Sequence, residues 1–72
     1  MVDQSMTPAT FRAIRAQSGL SLSATADLLA IMDRSTIHRY ETGARPVSGP
    51  VTLLMRLLQR EGADKLRELA NG

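Results

Sequence analysis

The stretch LSATADLLAIMDRSTIHRYETG, residues 22–43, decides how this 72-residue chain folds. Leu22, Ala26 and Leu29 repeat at i, i+4 and i+7, the spacing of one helix face. Ser21 or Ser23 can cap that helix. Ala30-Ile31-Met32-Asp33 then reads as a tight turn, in which Asp33 caps a second helix over Arg34–Thr42 and Gly43 closes it. On a wheel of about 100° per residue, Tyr40 falls beside Ile37. Ser35, Arg39 and Thr42 lie opposite, with His38 at the edge of that arc. The second helix is therefore anchored on one side and presents hydroxyls, an imidazole and a guanidinium on the other. Taken alone, that polar side is an ordinary solvated face.

Working outward, Thr7 and Pro8 predict a helix start, because a proline at the first helical position gives up an N–H that has no partner there anyway. Phe11, Ile14 and Ala16 supply its apolar side, and Gly19 ends it. Arg15, four residues after Phe11, leans towards the same side. Beyond Gly43, Ala44–Pro50 cannot continue a helix, since two prolines and a glycine interrupt it. A fourth helix is expected over Pro50–Arg60, with Val51, Leu54, Met55 and Leu58 on one face. Gly62 precedes a fifth over Ala63–Ala70. Leu53, Leu57, Leu66 and Leu69 either complete the core or form a face for self-association. Residues 1–6 read as a flexible leader and 7–72 as one all-α domain of five helices.

Composition limits the function. With one Phe, one Tyr and no Trp, the core must be mostly aliphatic. No cysteine is present and His38 is the only histidine, so neither disulfides nor a metal site is expected. No cofactor is expected. No apolar run reaches membrane-spanning length and MVDQSM carries no positive cluster, so the cytoplasm is the expected location. Acid–base catalysis by a lone histidine needs a second reactive group in a cleft, and enzymatic activity is not expected. The net charge is +2, and eight of the nine cations are arginine, the side chain whose planar fork suits phosphate and guanine.

The runs Phe11–Arg15, Gly19-Leu20-Ser21 and Leu28-Leu29, followed by Arg34–Gly43, resemble the lambda-repressor-like (XRE-type) helix-turn-helix family over roughly residues 7–60. The loop Arg45–Val51 is similar to a variant of its small bacterial and phage members. Here the turn is one residue longer than the commonest pattern, Ala30 stands where glycine is usual, and Leu22 stands where glutamine is frequent. The resemblance implies a compact five-helix DNA-binding domain with residues 34–42 as the recognition helix. It also implies a structural ion pair between Arg15 and Glu41, which agrees with the inward position of Glu41 on the wheel.

On this reading the DNA-binding residues are Ser23, Arg34, Ser35, Thr36, His38, Arg39, Thr42 and Arg45. Arg39 is the candidate for a guanine edge, and Arg34 for a base or a phosphate. Ser35 suits several bases, and Thr36 a phosphate or a capping role. His38 is an edge residue. Ser23 takes the place of the frequent glutamine, and Arg45 reaches a phosphate or sits in a solvated loop. The expected partner is double-stranded DNA, bound at a palindromic operator by a homodimer acting as a repressor. The alternative is a protein-interaction module, antitoxin-like or an adaptor, that binds a protein partner through the apolar surface of the last two helices.

Overall fold

A computed structural model describes residues 6–31 and 33–71. Residues 1–5 of the expected leader, Met32 of the turn and Gly72 lie outside them. Five helices follow in order: α1 (Pro8–Gln17), α2 (Leu22–Leu28), α3 (Arg34–Thr42), α4 (Gly49–Glu61) and α5 (Ala63–Asn71). No strand occurs among the described residues. Helix α3 packs against α1 and α2, α4 against α1 and α5, and α5 also against α2.

Local chemistry sets the helix limits. Thr7 accepts from the Thr10 amide, Ser21 from that of Ala24, Asp33 from that of Ser35 and Ser48 from that of Val51, so each of these side chains satisfies an amide that the helix leaves unpaired. The Ser48 cap lets α4 begin at Gly49, one residue ahead of the expected Pro50.

Two helices end in the same six-residue pattern. After α1, the amides of Gly19 and Leu20 return to the carbonyls of Ala16 and Arg15. After α2, those of Ala30 and Ile31 return to Asp27 and Ala26. Such a cap requires a left-handed residue. At α1 it is Gly19, with φ +70°, whereas at α2 it is Ala30, with φ +58°. The turn between α2 and α3 thus rests on an alanine in a conformation that favours glycine.

The core is assembled from Phe11 and Ile14 of α1, Ala26 of α2 and Leu29 at its end, Ile37 and Tyr40 of α3, Val51, Met55 and Leu58 of α4, and Leu66 of α5. The rings of Phe11 and Tyr40 lie 5.4 Å apart at 52°, a tilted contact that favours aromatic pairs and joins α1 to α3.

Several expectations need correction. Met6, assigned to the leader, is buried. It sits just before the Thr7 cap and joins the same cluster as Phe11, four residues into the helix, which are the two positions of a hydrophobic staple. Ala16 is exposed, because the inward arc of α1 runs through Phe11, Ile14 and the half-buried Arg15 and Ser18. Leu54 is also exposed, and its expected place is taken by Thr52, which is 1% exposed. Because α4 packs on both α1 and α5, its buried arc turns to Val51, Thr52, Met55 and Leu58. Of the four leucines left open by the sequence, Leu66 is core, whereas Leu53 and Leu69 are 62% and 60% exposed and Leu57 is 38% exposed.

Candidate nucleic-acid interface

Helix α3 is nine residues long, and an α-helix with its side chains is ~10–12 Å across, a fit to the ~12 Å width of the DNA major groove. Its inner side is fixed by Ile37, fully buried, and Tyr40, 5% exposed. Glu41 also turns inward. The Arg15 guanidinium donates to both of its carboxylate oxygens, with the Nη2–Oε1 bond at 3.0 Å, and a third bond from Arg15 Nη1 reaches the Leu20 carbonyl at 2.9 Å. One side chain of α1 therefore fixes the end of α3 and the entry to α2. The bond to Glu41 raises the Arg15 pKa, so its charge is secure.

With that side held, Arg34, Ser35, His38 and Arg39 are all exposed on the other. They come together along one groove, whose opposite wall is Leu22 at the first position of α2. By sequence Leu22 shares a helix face with Ala26 and Leu29 and stands where the family often has glutamine. In the structure it is half-buried, with one side against the core and the other on this groove. The signal was its place at a helix start, where the apolar stripe of α2 runs out to the surface.

The remaining candidates are less centrally placed. Ser23 is exposed and lines a neighbouring depression with Asp27, Asp33 and Arg34. Thr36 is half-buried, and the capping role considered for it belongs to Asp33. The Asp33 carboxylate is held below the usual carboxylate pKa, first by the Ser35 amide and then by the Ser35 hydroxyl, with Arg39 and Arg34 assisting. It stays ionised and keeps the start of α3 in place. The Thr42 hydroxyl donates to the Arg39 carbonyl and accepts from the Ala44 amide, so it is engaged in closing the helix. Arg45 is exposed just beyond, and its amide donates to the Arg39 carbonyl at 3.2 Å.

A short capped helix, a tight turn and a second helix with one buried and one open polar side, supported by α1, α4 and α5, define a helix-turn-helix DNA-binding domain. The chain belongs to the helix-turn-helix domain family, which matches residues 9–70, in keeping with the lambda-repressor-like pattern of its sequence. No curated protein and no solved structure matches it. No helix among the described residues is long and apolar enough to cross a membrane.

Proposed function

We propose that this protein is a sequence-specific transcriptional regulator that represses by occupying a palindromic operator as a homodimer, in the cytoplasm where the DNA is. The observation that carries the reading is the convergence of Arg34, Ser35, His38 and Arg39 on one open groove of a helix anchored from behind. Set into the major groove, α3 presents Arg39 to a guanine edge and Ser35 and His38 to neighbouring bases. Arg34, Ser23, Thr36 and Arg45 face the flanking backbone, while Thr42 closes the helix behind them.

One such helix reads only a few base pairs, and tight binding ordinarily draws on two half-sites about 34 Å apart. The Cα frame measures 31 × 29 × 20 Å, a size compatible with two copies side by side over half-sites that far apart. The exposed Leu53, Leu54, Leu57 and Leu69 on α4 and α5 supply an apolar surface for the pairing. The same leucines favour the second reading, a protein-interaction module in which another protein covers them.

Salt separates the two. Contacts to phosphate displace counterions, and the logarithm of the association constant falls by about 0.9 per contact for each decade of salt. A titration of the purified protein on duplex DNA from low to physiological salt is expected to show a slope of several such contacts. An affinity for DNA that is absent at low salt overturns the regulator reading in favour of the interaction module.

A further inference from the structure

Among the described residues lining the groove beside α3, Leu22 alone is apolar; the others carry two guanidinium groups, an imidazole and a hydroxyl. The mismatch is not an accident of a loose loop. Leu22 is the first residue of α2, its position is set by the Ser21 cap, whose Oγ accepts from the Ala24 amide at 3.0 Å, and its inner side packs on the core. A rigid patch of hydrocarbon is thus presented next to Arg39 and Ser35, on the surface proposed to meet base edges.

The edges exposed in the major groove are donors and acceptors, with one apolar exception, the C5-methyl group of thymine. An apolar side chain there forms no hydrogen bond to a base edge or a phosphate, and any polar edge placed against it loses water without compensation. A methyl group placed against it removes apolar surface on both sides from water. Arg34 and Arg39, on the same groove, draw the DNA close enough for that contact. We infer that Leu22 is a specificity-determining residue that selects thymine at one position of each half-site, next to the base facing Arg39. This rests on the DNA-reading function proposed above. Through it α2, not α3 alone, takes part in reading sequence.

The test begins with an operator obtained by selection from random duplexes, and replaces each thymine in turn with deoxyuridine, which removes only the methyl group. For the unaltered protein, one position per half-site is expected to lose about fourfold in affinity, the equivalent of one methyl group leaving an apolar contact. Leu22→Gln is expected to bind thymine and deoxyuridine equally at that position, and Leu22→Ala to show a smaller difference than the unaltered protein. Because Leu22 also touches the core, the unaltered complex supplies a check that needs no variant, namely nuclear Overhauser contacts between the Leu22 methyl groups and the methyl group of the same thymine. An operator indifferent to deoxyuridine throughout, or a methyl effect of equal size in the variants, or no such contact at the sensitive position, overturns the inference while leaving DNA recognition intact. A selection that returns no motif removes the underlying function instead.

Discussion

Arg15 and Glu41 are 26 residues apart, yet the guanidinium of one donates to both carboxylate oxygens of the other, with the Glu41 side chain only 8% exposed. Their pairing orients the whole proposed reading surface. Arg15 also holds the Leu20 carbonyl, so the pair ties together α1, the start of α2 and the end of α3.

Breaking that pair leaves a charge without its partner in a site with little water. Glu41→Gln is expected to lower stability by about 2–3 kcal/mol, somewhat below the range for fully buried pairs because Arg15 keeps some access to solvent. In a domain of this size that corresponds to a fall of roughly 10–20 °C in Tm. Urea titration followed by circular dichroism measures it. Replacing both partners, as Arg15→Met with Glu41→Leu, is expected to recover much of the loss, since no lone charge remains. A Glu41→Gln protein as stable as the parent would mean that the pair contributes nothing.

The turn between α2 and α3 contains a correctable strain. Ala30 occupies the left-handed position with φ +58°, which costs a residue with a Cβ atom about 1–2 kcal/mol relative to glycine. Glycine loses part of that advantage through its greater freedom in the unfolded chain. Ala30→Gly is therefore expected to stabilise the domain by about 0.5–1 kcal/mol, read as a higher urea midpoint with unchanged slope. A lower midpoint would show that Ala30 is not strained in solution.

Two buried threonines make opposite predictions. Thr25 Oγ1 donates to the Ser21 carbonyl at 2.8 Å, whereas Thr52 Oγ1 has no hydrogen-bond partner among the described residues. Thr52→Val removes an unsatisfied hydroxyl with almost no change of shape, and a gain of about 1 kcal/mol is expected. Thr25→Val breaks a bond and is expected to cost about 1 kcal/mol. Urea titrations of the two variants decide both, and losses of equal size would show that the Thr52 hydroxyl is satisfied after all.

Within the proposed interface, Arg39→Ala is expected to weaken binding to the selected operator by ~1–3 kcal/mol and to relax the preference at one base pair. Competition between specific and random duplexes reads both effects. An equal loss on the two kinds of DNA would assign Arg39 to a phosphate.

Helix α3 was legible to the residue, because an aspartate cap, a short polar–apolar pattern and a terminal glycine mark both its ends. The inward place of Glu41 was legible from the wheel, and its partner from the family resemblance. Thr52 was not, since a threonine facing inward leaves no mark in an apolar pattern, and Leu54 filled its place on the wheel while standing in solvent. Met6 escaped for another reason. Its burial depends on a staple to Phe11 across the Thr7 cap, and a chain end with little periodicity reads as loose. Leu22 lies where its spacing with Ala26 and Leu29 puts it, but its second surroundings were not legible. Periodicity shows which residues share a helix face, but not that the face continues into the groove of the next helix.

The central claim is that residues 34–42 read a base sequence, and selection from a random duplex pool at physiological salt tests it most directly. The predicted result is enrichment of an inverted repeat whose half-sites lie about one helical turn apart, which would supply both the operator and the two-fold arrangement of the bound protein. A folded sample that enriches no motif would contradict the account, and would turn attention to the exposed leucines of α4 and α5 as the working surface.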